Sequence, residues 1–262
     1  MTNLTIDIGN SHTKYAYFEN NSMTSNGRVL GHDISSIKEC NEKSVDNCIV
    51  CATINLDEET KKQIKGLGKN VIFMDHSTPV PIINRYKSPL TLGMDRLAAA
   101  IGAYSKVKND VLIIDAGTAI TYDFVNNAGE YLGGNISPGM NLRFLALHEH
   151  TAKLPRVEAE GNHPHLGEDT ETAIRCGVID GMKYEIEGYI REFSLKYPNL
   201  SIFLTGGDDL YFEDEIKLRT FADNYLVLEG LNQIIKHNIK LQENNNSCGK
   251  KKTDKKRDES KK

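Results

Sequence analysis

The hydrophobic pattern predicts a strand hairpin near the middle of the chain. Residues 111–114 form a run of four apolar residues that stops at Asp115 and Gly117, and an alternating apolar and polar stretch follows over 120–125. A mostly β-branched apolar run is typical of a buried strand, and the alternation is typical of a strand with one polar face. We therefore expect Gly117 to lie in or near a tight turn between two paired strands.

The same order of strand, acid, glycine turn and strand occurs at the N-terminus. Ile6-Asp7-Ile8-Gly9 aligns with Ile114-Asp115-Ala116-Gly117, and a second strand pattern follows in each copy. An ordinary polar hairpin tip explains either copy alone, but two copies with an acid at the same place indicate a diverged duplication. Two such turns facing each other would present backbone N–H groups to a polyphosphate, in a chain that has neither a Walker A sequence nor a GxGxxG motif.

The rest of the pattern alternates between strand and helix periods, which favours crossover connections and a partly parallel sheet. The predicted strands cover 28–30, 47–52, 71–74, 131–137 and 201–205, and the predicted helices cover 34–42, 57–67, 95–104, 142–147, 170–196 and 226–241. Gly177 and Gly181 lie four residues apart in the long helix over 170–196. Because glycine is unfavourable inside a helix, this pair predicts that another backbone comes close, from this chain or from a second subunit.

An irregular connection over 76–89 leads to a candidate ligand site. It contains three of the seven prolines, and irregular connections of this length often line a site. The next helix has Asp95 and Arg96 in its first turn. An acid there can simply cap the helix and complement its dipole, but the dipole disfavours the adjacent arginine, so the pair indicates a ligand.

Composition indicates a folded protein with one large domain or two of modest size. The chain has 262 residues, lacks the roughly 20 consecutive apolar residues that span a bilayer, and begins without the pattern of a secretory signal. We therefore predict a cytoplasmic protein without a membrane contact. The five cysteines are an odd number without regular spacing, which fits reduced thiols better than a disulfide framework. Cys48 and Cys51, the one CxxC pair, lie in a predicted strand and point to opposite faces, so we do not predict a redox or zinc pair there.

Charge is distributed unevenly. The net charge is −4, yet residues 250–262 hold eight basic and three acidic residues, which leaves about −9 on the rest. The end of the chain has few apolar residues, so we predict that residues 242–262 form a disordered basic tail. A solubilising role is the common explanation for such a tail, and we expect no nucleic-acid partner.

Four histidines invite a metal interpretation: His148, His150, His163 and His165. The first two lie two residues apart in a predicted helix and diverge, and the other two lie in a loop. The spacing matches none of the zinc patterns, so we do not predict a site of four histidines.

Six ordered motifs resemble a known family. They are Asp7-Ile8-Gly9-Asn10-Ser11-His12-Thr13-Lys14, residues 89–96 (PLTLGMDR), residues 115–119 (DAGTA), residues 133–139 (GGNISPG), residues 151–155 (TAKLP) and residues 204–208 (LTGGD). The duplicated hairpins resemble the ATP-binding fold shared by actin and hexokinase, and the set over residues 3–240 resembles the type III pantothenate kinases. The resemblance implies an α/β fold of duplicated actin/hexokinase-like (ribonuclease H-like) domains with mixed sheets flanked by helices, divided as 1–110, 111–241 and the tail.

The resemblance also implies an enzyme that uses ATP to phosphorylate pantothenate, the first step of coenzyme A biosynthesis. It implies that ATP is bound by Asp7, Ile8, Gly9, Asn10, Ser11, His12, Thr13, Lys14 and Thr118. It implies that pantothenate is bound by Tyr86, Gly93, Met94, Asp95, Arg96 and Thr170. Asp95 stands in the place of the proton acceptor, and Asp115 in the place of a ligand for K⁺ or NH₄⁺.

The same resemblance implies Mg²⁺ with the nucleotide and a homodimer in which Thr170 reaches the substrate of the other subunit. Two alternatives stay open at this point. One is a non-catalytic accessory factor in transcription, with the basic tail as a nucleic-acid arm. The other is a kinase of the same fold that acts on a different alcohol.

Overall fold

The structure is a computed structural model that describes residues 1–32, 34–35, 37, 44–207 and 220–259, with side chains of the last helix described up to residue 245. The predicted helix over 34–42 lies mostly outside these residues, as does Asp208 at the end of one motif. No helix in the described part of the chain is long and apolar enough to cross a membrane.

The first sheet contains the N-terminal hairpin. Its strands are β1 (Thr2–Ile8), β2 (His12–Glu19), β3 (Ser22–Leu30), β4 (Asn47–Ala52) and β5 (Asn70–Phe73). The strand order is β3-β2-β1-β4-β5, in which the first three strands are antiparallel and β4 and β5 continue the sheet in parallel. The mixed sheet follows from the pattern, because short hairpin loops give antiparallel pairs and longer connections give parallel ones.

The second sheet contains the central hairpin. Its strands are β6 (Ile83–Asn84), β7 (Val111–Ala116), β8 (Ala119–Val125), β9 (Glu130–Pro138), β10 (Ser201–Gly206) and β11 (Thr220–Ala222). The order is β11-β10-β7-β8-β9-β6, with β7, β8 and β9 antiparallel and β10 parallel to both β7 and β11. Read from β9 to β11, this order repeats that of the first sheet from β3 to β5. The predicted duplication is therefore present in the topology.

Five α-helices have described bounds: α1 (Glu58–Lys65), α2 (Met94–Val107), α3 (Met140–Glu149), α4 (Thr170–Lys196) and α5 (Leu226–Glu259). Helix α4 has the predicted bounds, and Asp169 caps it by accepting a hydrogen bond from the Thr172 backbone N–H at 2.8 Å. Helix α5 differs from the prediction, because it passes Leu241 and continues to Glu259 through the stretch that was predicted to be disordered. The lysine- and arginine-rich end of this stretch favours a helix, whereas the asparagines, serine and glycine within 244–249 do not, so composition alone does not explain the extension.

The chain divides into two compact units. One contains Met1–Ile83, Pro89–Gly102 and Val227–Lys262, and the other contains Asn84–Ser88 and Ala103–Leu226. The last helix thus belongs with the N-terminal sheet, whereas the sequence pattern placed it in the second half. Within the first unit α5 lies directly on α2, since a Cβ added at Gly230 would lie 1.8 Å from the Ala98 carbonyl oxygen.

Each unit has its own hydrophobic core. In the first, the inward side chains of β1, β2 and β4 form a buried cluster that includes Leu4, Ile6 and Val50. In the second, the apolar stripe of α4 covers the sheet, with Met182 and Ile186 fully buried against strand residues such as Leu112. Burying strand faces under helices leaves the strand ends and turns for chemistry.

Candidate active site

The first hairpin places Asp7 at the carboxyl end of β1. Asp7 pairs in register with Lys14 across the hairpin and with Cys51 on the parallel side. The turn between the strands covers residues 9–11, and the Gly9 N–H donates to the His12 carbonyl oxygen at 3.0 Å. A carboxylate, a lysine and a short polar turn therefore share one end of the sheet.

Basic side chains surround this turn. Arg28, on β3, pairs in register with Lys14 and lies 2.9 Å from the His12 ring through its Nη2. Burial and the positive charges of Arg28 and Lys14 lower the pKa of His12. Clustered cations attract a polyanion such as a triphosphate. Sequence reasoning missed Arg28, because its position opposite Lys14 depends on the register of β2 with β3.

Asp95 lies in the first turn of α2, as predicted. Its Oδ1 accepts a hydrogen bond from the Arg96 backbone N–H at 2.8 Å, one of the N–H groups that have no carbonyl partner within the first turn of a helix. Gly93 provides the room for this carboxylate, because a Cβ at that position would lie 2.5 Å from Asp95 Oδ1. Arg96 is buried, so its charge lies inside the unit and not on an open helix face.

Cys51 shows that Asp7 and Asp95 lie in one neighbourhood of the first unit. The Cys51 thiol is buried, and its pKa is raised well above the ordinary value, first by burial and then by the negative charges of Asp7 and Asp95. The two acids come from different elements, a strand end and a helix start. Because a thiol with a raised pKa stays protonated, Cys51 is not a nucleophile. Its raised pKa indicates only that both carboxylates lie near enough to act on it.

The second hairpin places Asp115 at the carboxyl end of β7. Asp115 pairs in register with Thr121 on β8 and with the buried Thr205 on the parallel strand β10. Its turn consists of Gly117 and Thr118, one residue shorter than the turn of the first hairpin. Thr118 is exposed at the tip, where a ligand could reach its hydroxyl.

Two glycines allow close backbone contacts around the second hairpin. A Cβ at Gly139, the residue before α3, would lie 2.1 Å from the Gly117 carbonyl oxygen, and the Gly139 N–H donates to the Thr118 carbonyl oxygen at 3.1 Å. Gly206 has a φ of +113°, and its Cβ would lie 2.2 Å from the Ala116 carbonyl oxygen. No other residue type fits these positions without moving the turn.

Tyr86 is held by β9 in the second unit. The preceding residue, Arg85, donates its backbone N–H to the Tyr131 carbonyl oxygen at 2.9 Å and forms an ion pair with Glu130 at 2.7 Å. The Tyr86 ring lies 6.2 Å from the Tyr131 ring, and Gly133 leaves the space beside it. This anchoring fixes a half-buried tyrosine in a connection that the sequence predicted to be irregular.

Thr170 is exposed on the first turn of α4 and borders an apolar groove. The groove has a volume of about 1110 Å³ and is lined mainly by α3 and α4, including Leu142, Leu147 and Gly177. A Cβ at Gly177 or Gly181 would meet nothing within 4 Å. The predicted close backbone is therefore absent among the described residues of this chain, which leaves the prediction of a second subunit.

The sequence-predicted residues thus fall into two groups. Residues 7–14 and 93–96 lie in the first unit, where the acids Asp7 and Asp95 share a neighbourhood. Tyr86, Asp115, Thr118 and Thr170 lie in the second unit. The pairing of one group with the other stays a prediction from the sequence.

Comparison with known proteins identifies the family. The family model for type III pantothenate kinase matches residues 3–192. A type III pantothenate kinase from Phocaeicola vulgatus is 48% identical over 241 residues, which cover 91% of this chain and all of that protein. The chain belongs to the type III pantothenate kinase family. The resemblance seen in the six motifs is thereby confirmed.

Solved structures agree on the fold of this kinase family. A conserved Campylobacter jejuni protein assigned to the Baf family of transcriptional activators aligns with a TM-score of 0.56 at 22% identity, covering 90% of this chain and 99% of the other. The activator of 2-hydroxyisocaproyl-CoA dehydratase from Clostridium difficile, solved with bound ADPNP, aligns with a TM-score of 0.51 at 11% identity, covering 93% and 98%. The predicted α/β fold, with mixed sheets flanked by helices, is confirmed.

Proposed function

We propose that this chain transfers the γ-phosphoryl group of ATP to the primary hydroxyl of pantothenate, giving 4′-phosphopantothenate for coenzyme A biosynthesis. Membership of the family supports the reaction. The observation that carries the proposal is the shared neighbourhood of Asp7 and Asp95 around Cys51, since it joins the predicted phosphate hairpin to the predicted substrate helix.

Asp95 is the general base in this proposal. Phosphoryl transfer depends mainly on positioning and charge neutralisation, with one carboxylate placed to accept the proton of the attacking hydroxyl. Asp95 lies off the phosphate hairpin but in its neighbourhood, and Gly93 keeps its carboxylate free of a neighbouring Cβ. The buried Arg96 beside it suits the carboxylate of pantothenate. The family resemblance adds Tyr86, Gly93 and Met94 to the proposed substrate contacts.

The first hairpin holds the triphosphate. Residues 8–13 supply backbone and small polar groups, and Lys14 supplies positive charge together with Arg28, which lies in contact with His12. Asp7 fits Mg²⁺, because its carboxylate oxygens are the hard ligands that this ion prefers. Bound Mg²⁺ neutralises phosphate charge, while the chain's own residues orient the nucleotide.

The second hairpin contributes Thr118 to ATP binding and Asp115 to a K⁺ or NH₄⁺ site. Asp115 ends β7 beside Thr121 and the buried Thr205, so a carboxylate and hydroxyl oxygens lie on adjacent strands. Oxygen donors of this kind suit a hard monovalent cation.

A coupled assay tests the reaction directly. Purified full-length protein with ATP, Mg²⁺ and K⁺ should consume ATP when pantothenate is added, and mass spectrometry should identify phosphopantothenate. Turnover should fall when Na⁺ replaces both K⁺ and NH₄⁺. If ATP binds but no phosphopantothenate forms, the proposed reaction is wrong, and a panel of other alcohols then identifies a different acceptor.

The proposed assembly is a homodimer that covers the apolar groove beside α4. The glycines at 177 and 181 face open space, and Leu142 and Tyr184 are 44% and 59% exposed. Helix glycines at a surface allow the backbone of a second helix to approach closely. Light scattering should give twice the mass of one chain.

Mixing two inactive variants tests whether Thr170 acts in the partner's site. Asp95→Asn and Thr170→Ala homodimers should each be slow. In a mixed dimer, one site has an intact Asp95 and receives Thr170 from the other subunit, so random mixing should restore about a quarter of wild-type sites. Absence of restoration in confirmed mixed dimers would show that Thr170 acts within its own subunit.

The alternative function, a non-catalytic accessory factor in transcription, predicts DNA binding through the basic tail. The fold is shared with the Campylobacter jejuni protein, and the last thirteen residues carry a net charge of +5. Removal of residues 250–262 should leave kinase activity unchanged. Salt-sensitive DNA binding that this truncation abolishes, in a protein without kinase activity, would favour the alternative.

A further inference from the structure

A cluster of three potential metal ligands lies in the second unit, outside the proposed kinase site. One nitrogen of His163, the sulfur of Cys176 and a carboxylate oxygen of Asp180 all lie within 4.8 Å of one another. His163 Nε2 is 3.3 Å from Asp180 Oδ1. We propose that these three side chains bind a divalent transition metal ion of the zinc type, which fastens the loop over 157–169 to helix α4.

Helix α4 presets two of the three ligands. Cys176 and Asp180 are four residues apart, so they lie on the same face of the helix, one turn from each other. The same spacing places the two histidines of the HExxH motif on one metal ion. The helix backbone therefore fixes both donors before any ion arrives.

A buried arginine positions the third ligand. Arg175 donates from Nε to the Glu158 carbonyl oxygen at 3.0 Å and from Nη1 to the Asn162 carbonyl oxygen at 2.9 Å. Gly161, at a φ of +127°, allows this contact, because a Cβ there would lie 2.9 Å from Arg175 Cζ. The loop immediately before His163 is thus tied to the helix that carries the other two ligands.

The loop is tied on the other side of His163 as well. The Cys176 Sγ donates to the Pro164 carbonyl oxygen at 2.7 Å. In the metal-free chain His163 therefore lies between two fixed points. The contact to Pro164 is given up when the ion binds, so the Arg175 contacts are the ones that still hold the loop. Preset ligands of this kind are what a metal site requires of its scaffold.

The donor set selects the type of ion. One sulfur, one imidazole nitrogen and one carboxylate oxygen suit Zn²⁺ or Co²⁺, whereas Mg²⁺ prefers oxygen alone. Three protein ligands leave a fourth position for water. On binding, the Cys176 thiol loses its proton to solvent and exchanges its hydrogen bond to Pro164 for a sulfur–metal bond, and the thiolate and the Asp180 carboxylate balance the charge of the dication.

Cobalt titration of the full-length protein tests this proposal, after treatment with a chelator. Wild-type protein should bind one Co²⁺ per chain with a thiolate-to-cobalt absorption band, and Zn²⁺ should displace it. Cys176→Ser should abolish the band. His163→Gln and Asp180→Asn should weaken Co²⁺ binding by about tenfold or more, since loss of an outer contact alone already costs that much at many metal sites.

His165→Gln is the matched control, because His165 is exposed in the same loop and lies outside the cluster. Its Co²⁺ affinity should equal that of the wild type. His163 is also exposed, so His163→Gln tests the site without a folding defect even if the buried Cys176→Ser variant is unstable. Absence of the band in wild-type protein, its survival in Cys176→Ser, or equal losses in His163→Gln and His165→Gln would overturn the proposal and leave an ordinary ion pair.

Discussion

The hairpins that carry Asp7 and Asp115 occupy the same place in their sheets, but their surroundings differ. Each acid ends a central strand with an antiparallel partner on one side and a parallel strand on the other. Opposite Asp7 lie Lys14 and Cys51, whereas opposite Asp115 lie Thr121 and Thr205. A duplicated topology therefore carries two different sets of donors.

The turns differ in the same way. The first has three residues and lies beside basic side chains of β2 and β3, which suits a phosphate chain. The second has two residues and is enclosed by the backbone at Gly139 and Gly206. The duplicated sheet thus places an acid at the same point twice, and the residues opposite each acid give the two turns different chemical groups.

The largest effect is expected from Asp95→Asn. Loss of the general base should lower kcat by about a thousandfold, within the usual range for such groups, with the KM for pantothenate little changed. Steady-state kinetics measures both constants. Unchanged kcat would remove Asp95 as the base and leave it as a helix cap.

Asp7→Asn should have the next largest effect. It should lower kcat/KM for Mg-ATP about a hundredfold, because the charge at the phosphates is then less well stabilised. The defect should depend on the concentration of Mg²⁺ and not on that of K⁺. A titration with each ion at fixed ATP separates the two responses. A defect that K⁺ relieves would contradict the assignment of Asp7.

Gly139→Ala should destabilise the second unit by about 1 to 3 kcal/mol, because the added methyl overlaps the Gly117 carbonyl and forces the turn to shift. Gly9→Ala is the matched variant in the first hairpin. Its Cβ would lie 3.3 Å from the His12 carbonyl oxygen, so its effect should be smaller. Denaturant unfolding measures both, and an equal loss would show that the two turns are equally crowded.

Asp115→Asn should change the concentration of K⁺ or NH₄⁺ needed for half-maximal activation by about tenfold, or roughly 1.4 kcal/mol. The concentration of Mg²⁺ needed for activation should stay the same. The assay is the activation curve for K⁺ and for NH₄⁺. If Asp7→Asn and Asp115→Asn give the same ion dependence, the division of labour between the hairpins is wrong.

The smallest effect is expected from Glu185→Gln, which acts on the support of the second hairpin. Glu185 accepts hydrogen bonds from Tyr122 of β8 and from Arg143 of α3. Burial raises the pKa of Glu185, but the hydrogen bonds from Arg143, Tyr122 and Ser137 outweigh it, so the net pKa lies below the ordinary value.

A carboxylate with a lowered pKa stabilises the fold above its unfolded pKa, and this contribution is lost as the pH falls through the folded pKa. Wild-type stability should therefore decrease below about pH 4.3. Glu185→Gln should reduce the loss of unfolding free energy over this pH range by about 1 kcal/mol or less. Thermal melts across this range measure it, with Glu192→Gln as an exposed control on the same helix. Identical pH profiles for Glu185→Gln and the wild type would contradict it.

Much of the fold was predictable because the spacing of apolar residues indicates whether a segment is a strand or a helix and which of its faces is buried. The two hairpins, the strand over 47–52 and the bounds of α4 follow from apolar spacing, and the structure adds Asp169 as the cap of α4. The end of α5 was not predictable, because a lysine-rich polar run is compatible with both a solvated helix and a disordered chain.

The site was predictable in part. Asp7 and Asp115 stand out because each follows an apolar run, where an acid has no use in a core. Asp95 stands out because Arg96 follows it in the first turn of a predicted helix. Arg28 escaped notice because its role depends on the register of β2 with β3. The cluster around Cys176 was missed because its ligands are thirteen and seventeen residues from His163, a spacing that matches no local motif.

The sequence by itself determined the duplicated acid and glycine turns and the family that they indicate, because local period and residue chemistry carry that information. The tertiary structure alone decided which side chains lie close together. The charges of Asp7 and Asp95 both reach a buried thiol and raise its pKa, and His163 lies beside two residues of α4. The physical reason is that strand register, parallel pairing and loop anchoring are set by long-range packing, which no short stretch of sequence encodes.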